Sequence, residues 1–412
     1  MTAADSKMDT CPRHQVSRSI ENVLVLQGGG SLGAFSCGVF KGLYDNGVRF
    51  DTVGGTSIGA INAAIICGSR NDNPAKSLED FWVEVSESSF QIIPDVFVPN
   101  YDYKTNTHGT SKVPSSVLNS IMFGVPGFFE PRWQQAWLGG AMDGKISPME
   151  WTYYYDHSPL ARTLEKYVDF SKLSRKKAPS AEKVDGGPRL IVTAVNIMTA
   201  ESLVFDSAKT DIMPKHILAS SAYSAYGFPW IEVDNNVYAW DGSLLSNTPL
   251  KEVIESSPVN DKNVYIIENY PKKIDRLPRN RAEVVDRTRD IIFGDKTVYD
   301  LRAWKHISRQ TELIEKLYDI VEKHVDKKAA DPSVLEEIKK EYASLVGMYG
   351  AEILAIHWIS RNRMESPHIL KNADFSPRTI RDLISQGETK AAEHIKGQDE
   401  GDIAELLKIL YL

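Results

Sequence analysis

The chain has 412 residues, 42% hydrophobic and 25% charged, with 48 Lys and Arg against 55 Asp and Glu for a formal charge of −7. That composition supplies a large core and excludes global disorder. The acidic balance speaks against a nucleic-acid binder, which carries a basic face or stripe. At roughly 150 residues per domain the length corresponds to about two to three domains, or to one large α/β domain with an appendage.

Residues 1–19 read as a flexible polar tail with Lys7, Arg13 and Arg18 scattered through it and no apolar block of the secretory kind. The longest apolar stretch, Ile58 to Cys67, is far shorter than the roughly 20 residues of a spanning helix. Cys11, Cys37 and Cys67 are odd in number and far apart, which predicts neither a disulfide framework nor a paired metal motif and points to a reducing, cytoplasmic setting.

Val23 to Leu26 is an apolar run ending in Gln27 and three glycines, the pattern of a fully buried strand. From Ala34 to Tyr44 apolar residues recur at helical spacing, and Asp45-Asn46-Gly47 supplies the stop. Phe50 to Val53 reads as a second strand broken at Gly54-Gly55, and Ile58 to Ile66 as a buried helix. Strand, helix, strand, helix in this order predicts an α/β fold with a parallel sheet and right-handed crossovers. Residues 84–150, an aromatic stretch punctuated by prolines, read as an insertion or lid. Leu160 to Tyr167 is helical in pattern, Ser171 to Pro188 a loop, and Leu190 to Val195 a strand. Pro214 sits at a helix start ahead of Ile217 to Tyr223, and Val264 to Ile267 is another short strand. Long charged helices follow, among them one opening after Asp331-Pro332 with Leu335, Ile338, Tyr342, Leu345 and Tyr349 on one face. Ile353 to Ile359 then alternates as a strand, and Ser376-Pro377 opens a helix over 377–395.

The strongest chemical signal is Gly55-Thr56-Ser57-Ile58-Gly59, a G-x-S-x-G pattern between a strand and a small-residue helix. A serine at such a turn is pushed outward, the glycines let the helix pack closely, and the helix N-terminus favours developing negative charge. Upstream, Gly28-Gly29-Gly30-Ser31-Leu32-Gly33 admits two readings. As G-x-G-x-x-G it matches a dinucleotide fingerprint, which needs an acidic residue ending the second strand; Asp45 and Asp51 are roughly placed but neither ends that strand. Alternatively its backbone N–H groups form an oxyanion hole beside Ser57, the reading that uses both motifs in one site. A candidate base is Asp241 in Trp240-Asp241-Gly242-Ser243, although Asp-Gly is also a common turn dipeptide.

A glycine-rich strand-to-helix loop, then G-T-S-I-G, then a distant D-G is an order that resembles the patatin-like phospholipases. The similarity covers residues 20 to about 270, and the region from about 276 onward, especially Asp374 to Ile395, resembles the extension that follows the patatin domain in a group of bacterial proteins. The resemblance implies a three-layer α/β fold with a mostly parallel central sheet, a catalytic domain over 20–275 and a mainly helical extension over 276–412. It further implies a serine lipid acyl hydrolase of phospholipase A type, acting on a lipid or other ester substrate without a cofactor. Ser57 would be the nucleophile and Asp241 the general base of a Ser-Asp dyad. Gly28, Gly29 and Gly30 would hold the oxyanion, with Gly33, Gly55, Gly59 and Gly242 supporting the motifs. Leu32 departs from the pattern, since many members carry Arg or Lys there.

An ordinary aspartate, with pKa about 3.9, is a poor base at neutral pH. Asp241 is therefore expected to have a raised pKa, with Tyr238 and Trp240 as apolar neighbours. The competing arrangement is a Ser-Asp-His triad, for which His306, His324, His357, His368 and His394 follow in the right chain order. None lies in a motif; His357 alternates with apolar residues like a strand histidine, and the others read as surface. Ile121, Met122, Phe123, Val125, Phe128, Phe129, Trp133 and Trp137 suit either core packing or an acyl-chain wall that meets a lipid surface, a candidate peripheral membrane contact. No H-E-x-x-H, Cys pair or carboxylate-rich loop calls for a metal.

Overall fold

The apolar run after Asn22 forms strand β1 (Ile20–Leu26), and its alternate side chains feed two separate cores: Leu24 and Leu26 on one face, Val23 and Val25 on the other. Burial on both faces is the condition of a central parallel strand, and it explains why this run is continuously apolar instead of alternating. The computed structural model describes residues 19–94, 114–133, 151–174, 187–324 apart from positions 272, 275, 280 and 295, 331–361 and 370–397.

Beyond β1 come a one-turn 3-10 helix (Gly30–Leu32), α1 (Gly33–Asp45), β2 (Thr52–Thr56), α2 (Ile58–Gly68), α3 (Pro74–Glu87) and α4 (Ser115–Phe123). The short ribbon of β3 (Glu130–Pro131) and β4 (Tyr155–Asp156) precedes α5 (Pro159–Tyr167). The second half of the sheet adds β5 (Arg189–Asn196), β6 (Ser202–Asp206), α6 (Pro214–Ser220), β7 (Ile231–Asp234), β8 (Val237–Asp241), α7 (Leu250–Ser256) and β9 (Asp261–Glu268). The chain ends its described course with α8 (Arg281–Gly294), α9 (Lys296–His324), α10 (Pro332–Tyr349), β10 (Ile353–Ser360) and α11 (Pro377–Ile395).

The sheet runs β10-β9-β1-β2-β5-β8-β7, with β6 paired to β5 off this path. β10, β9, β1, β2 and β5 are mutually parallel, whereas β8, β7 and β6 join antiparallel. One face is covered by α1, α2, α3 and α11 and the other by α7 and α9, which makes the expected three layers.

β2 begins at Thr52, later than the expected Phe50, and continues through Gly54-Gly55 where the sequence pattern suggested a break. The glycines are strand residues here because the layers close on both faces. A Cβ on Gly54 would lie 2.1 Å from Val253 of α7, and one on Gly55 would lie 2.2 Å from the Gly59 backbone of α2. Helix α3 was not anticipated, although Asn73 caps it by accepting from the N–H groups of Ala75 and Lys76, and Leu78, Phe81, Trp82 and Val85 form its buried stripe. Helix α6 ends at Ser220, short of the expected Tyr223.

The C-terminal residues share the sheet. β10 lies parallel along β9 as its edge strand, and α11 lies against α1 with the backbones of Gly38 and Gly387 in direct apposition. The division expected at 275/276 thus does not coincide with a break in the sheet. Among the described residues no helix is long and apolar enough to cross a membrane.

Candidate active site

Strand register brings the two motifs together. Thr56, the last residue of β2, pairs with Thr193 of β5, and the next β5 residue, Ala194, pairs with Asp241 at the end of antiparallel β8. Ser57 and Asp241 therefore meet across the end of β5, although 184 positions separate them in sequence. A hydrogen bond of 2.7 Å between the Thr56 and Thr193 hydroxyls pins this level of the sheet.

Ser57 has φ 57° and ψ −126°, a conformation that L side chains rarely adopt, and it stands immediately before the first residue of α2. Such strain persists only where surrounding structure over-determines it. Here the close seat of α2 on β1 and β2 does so, since a Cβ on Gly59 would meet the Leu26 carbonyl at 2.3 Å. The Ser57 N–H is held by the Ser220 hydroxyl at 3.0 Å, leaving the side chain at the head of the helix.

Asp241 is fully buried. Its Oδ1 accepts from the Ser243 N–H at 2.8 Å, while Oδ2 is buried and receives no hydrogen bond of normal geometry. Burial pushes its pKa up to about 6; the Ser243 N–H and the nearby Ser57 and Ser243 hydroxyls oppose that rise only in part. The expected causes need correction. Tyr238 and Trp240 alternate with the buried Ala239 and Asp241 along β8 and so belong to the opposite face of the strand. Desolvation comes instead from burial at the sheet end, where the Asp241 N–H binds the Ala222 carbonyl and Tyr223 stands close enough to feel its charge.

The glycine loop is oriented by Asn269 and Gln27. Asn269 Nδ2 donates to the carbonyls of Gln27 at 2.8 Å and Gly28 at 3.2 Å, and Gln27 Oε1 accepts from the Asn269 N–H at 2.7 Å. Because a trans peptide sets its N–H opposite its carbonyl, tying down the Gly28 carbonyl turns the Gly29 N–H away from Asn269. Gly29 and Gly30 have φ 154° and 56° and line the same cavity as Ser57 and Asp241. Gly28 does not fit the role expected of it: its N–H donates to the Asn247 carbonyl at 3.1 Å and is already engaged. Its place against the Ser57 side chain makes it a spacer. Leu32 is fully buried in the helix-side core, so this position serves packing here. The second strand ends in Thr56, Asp45 closes α1 and Asp51 accepts from the Asn22 N–H, so no acid stands where the dinucleotide reading needs one.

The cavity over Ser57 has a volume of about 370 Å³ and mostly apolar walls, among them Ile58, Ile61, Leu160 and Phe228. Ile121, Phe128 and Phe129 of the aromatic segment are part of these walls; Trp137 lies outside the described residues.

A family model described as patatin-like phospholipase matches residues 24–254, more than half of the chain and a span that includes Ser57, Asp241 and the glycine loop. The chain belongs to the patatin-like phospholipase family. Over 76 residues it is 36% identical to patatin-like phospholipase domain-containing protein 7 of Mus musculus, covering 18% of this chain and 6% of that protein. The same identity and length relate it to neuropathy target esterase sws of Drosophila persimilis, with 18% and 5% covered. The matched part thus spans only 5–6% of the length of these curated relatives. Among solved structures it is similar to VipD from Legionella pneumophila, with TM-score 0.37 and 14% sequence identity over 92% of this chain and 67% of that one.

This patatin-like chain also uses residues beyond the matched span to complete the site, which the sequence did not reveal. Leu370, Asn372 and Phe375 line the cavity, as does Phe293 of α8. The turn Lys371–Ala373 is clamped against the glycine loop. Ser31 donates to the Lys371 carbonyl, the Asn372 carbonyl abuts Gly30, and buried Lys371 Nζ sits 2.5 Å from Asp290 and 3.1 Å from Asp286. Among the later histidines, His306 and His324 are exposed, and His357 of β10 hydrogen-bonds His394 of α11 at 2.9 Å; His394 is thus part-buried in a pair instead of free on the surface. None of these lines the cavity, and His368 lies outside the described residues.

Proposed function

We propose that this chain is a serine lipid acyl hydrolase of phospholipase A type that works through a Ser57–Asp241 dyad and an acyl-enzyme. The observation that carries the reading is the strained Ser57 at the head of α2, opening into an apolar cavity beside a buried carboxylate with a raised pKa. Family membership supports the reaction class.

In this mechanism Ser57 Oγ attacks the ester carbonyl as its proton passes to Asp241, and the N–H groups of Gly29 and Gly30 stabilise the tetrahedral oxyanion. Asp241 then gives the proton to the departing alkoxide. Water, deprotonated by the same carboxylate, hydrolyses the acyl-Ser57 ester and restores the dyad. A pKa of about 6 suits this work: the carboxylate is ionised at neutral pH yet basic enough to share a proton. The apolar walls supply the acyl-chain site, and exposed Met122 on α4, beside cavity-lining Ile121, supports peripheral contact with a lipid surface. Buried, free Cys37 and Cys67 support work in a reducing compartment, the cytoplasm.

The test is fluorophosphonate labelling of wild type, Ser57→Ala and Asp241→Asn, with hydrolysis of p-nitrophenyl esters and mixed phospholipid vesicles followed in parallel. Labelling and turnover that vanish with Ser57 and fall steeply with Asp241 support the dyad. Vesicle products then separate a phospholipid substrate from a neutral lipid, polyester or thioester. A folded wild type that neither labels nor turns over defeats the proposal in favour of non-catalytic lipid binding.

A further inference from the structure

A surface helix ordinarily turns its apolar stripe inward and its charges to water, and α8 does the reverse. Its buried positions, one turn apart, are Asp286, Asp290 and Gly294, and the two carboxylates are matched by buried Lys371. Val284, Thr288, Ile291 and Ile292, spaced i, i+4, i+7 and i+8 along the other face, are exposed, Ile291 to 54% and Ile292 to 60%. Leu277 ahead of the helix and Tyr299 in the first turn of α9 are exposed as well. Single exposed apolar residues are ordinary, but a row of them along one face marks an interaction site.

The charge beside this row has one sign. Among the described residues 276–294 the exposed charges are those of Arg279 and Arg281, and Arg281 heads the exposed face three residues before Val284. The acids of the segment are engaged elsewhere: Glu283 pairs with Arg276, and Asp286 and Asp290 lie inside on Lys371. A cationic, apolar face on a chain of formal charge −7 fits a partner that presents anionic groups over hydrocarbon.

The same helix walls the candidate active site. Phe293, next to Ile292, lines the cavity, and its carbonyl accepts from Gln27 Nε2 at 3.0 Å and Asn247 Nδ2 at 3.3 Å. Arg289 donates to Asn372, another lining residue, at 3.2 Å. The apolar outer face and the cavity are thus separated by one helix, about 10–12 Å across.

Deepening the hydrolase reading above, on which its consequence for catalysis rests, we propose that the outer face of α8 docks the protein on a membrane containing anionic phospholipid. Ile291 and Ile292 enter the acyl layer, and Arg279 and Arg281 meet the headgroups. Docking there brings the cavity within one helix diameter of the layer that holds its substrate.

The experiment measures partition of Ser57→Ala, which cannot consume its vesicles, by sedimentation with phosphatidylcholine vesicles and with equimolar phosphatidylcholine–phosphatidylglycerol vesicles. Strong partition onto the mixed vesicles, weak partition onto phosphatidylcholine and a loss of affinity with rising salt are expected. In that background Arg279→Gln and Arg281→Gln should each weaken partition about fivefold. Ile291→Asn with Ile292→Asn should weaken it at least about tenfold. Thermal unfolding confirms that these exposed substitutions leave the fold in place. Equal partition of the parent onto both vesicles, or partition that survives both pairs of substitutions, overturns the proposal. Self-association without vesicle binding, abolished by the isoleucine pair, also overturns it and assigns the face to a second copy of the chain. Because partition is read without turnover, binding as expected supports the docking face even if wild type proves inactive, whereas absent binding refutes it even if the esterase is active.

Discussion

Replacing Asp241 by Asn should cost the protein its activity and make its fold more stable at neutral and alkaline pH. In the folded state burial lifts this carboxyl from its ordinary 3.8 to about 6, and at 1.36 kcal/mol per pH unit that corresponds to about 3 kcal/mol. The folded state holds the proton more tightly than the unfolded chain. Below the unfolded value both states are protonated and no penalty exists; between about pH 4 and pH 6 the unfolded chain ionises first and stability falls. Above the folded value the full penalty is present. Asn cannot ionise, yet its carbonyl oxygen can still accept from the Ser243 N–H, so the variant escapes the penalty. With an unfolding entropy of about 2.1 cal/mol/K per residue over 412 residues, about 3 kcal/mol becomes a rise in Tm of about 3 °C at pH 8. Thermal unfolding of wild type and Asp241→Asn, measured in parallel at pH 8 and pH 4, should show this gap at the higher pH and its disappearance at the lower. A variant less stable at pH 8, or a gap of equal size at both values, would refute the claim that a buried, destabilised carboxylate serves as the base.

Three further outcomes follow from the same geometry. The kcat/KM profile on a short-chain ester should lose activity as pH falls through about 6, where Asp241 takes a proton; a profile flat to pH 4 contradicts its role as base. Ser57→Gly should be more stable than Ser57→Ala by about 1 kcal/mol in denaturant titrations, because glycine relieves strain of about 1–3 kcal/mol at φ 57° less its own entropic cost, and the reverse order would argue against strain at the nucleophile. Lys371→Met leaves Asp286 and Asp290 buried without their cation and should destabilise the fold by about 3–5 kcal/mol. In the folded fraction it should lower kcat more than it changes KM, since the glycine loop loses the turn that braces it; kinetics identical to wild type would show that the clamp is purely structural.

Local pattern carried a large part of this architecture. Val23 to Leu26 reads as a strand because a short apolar run stopped by glycines suits an element buried on both faces, and Gly55 to Gly59 encodes a tight turn into a helix through the absence of Cβ atoms. Both are properties of neighbouring residues and are legible in one dimension. Helix α3 is equally legible in its Asn73 cap and apolar stripe.

The site itself depends on distances that no local pattern contains. Ser57 and Asp241 meet because β8 enters antiparallel beside β5, and strand alternation then decides that Asp241 faces the site while Trp240 does not. Whether a glycine N–H is available for an oxyanion rests on Asn247, whose carbonyl engages that of Gly28 from a distant part of the chain. The sequence alone determined which segments are strands, helices and the strained turn, because short-range sterics and hydrophobic periodicity act between neighbours along the chain. Tertiary structure alone decided which polar atoms are buried, paired or left free, because desolvation and hydrogen bonding depend on residues brought close in space from distant parts of the chain.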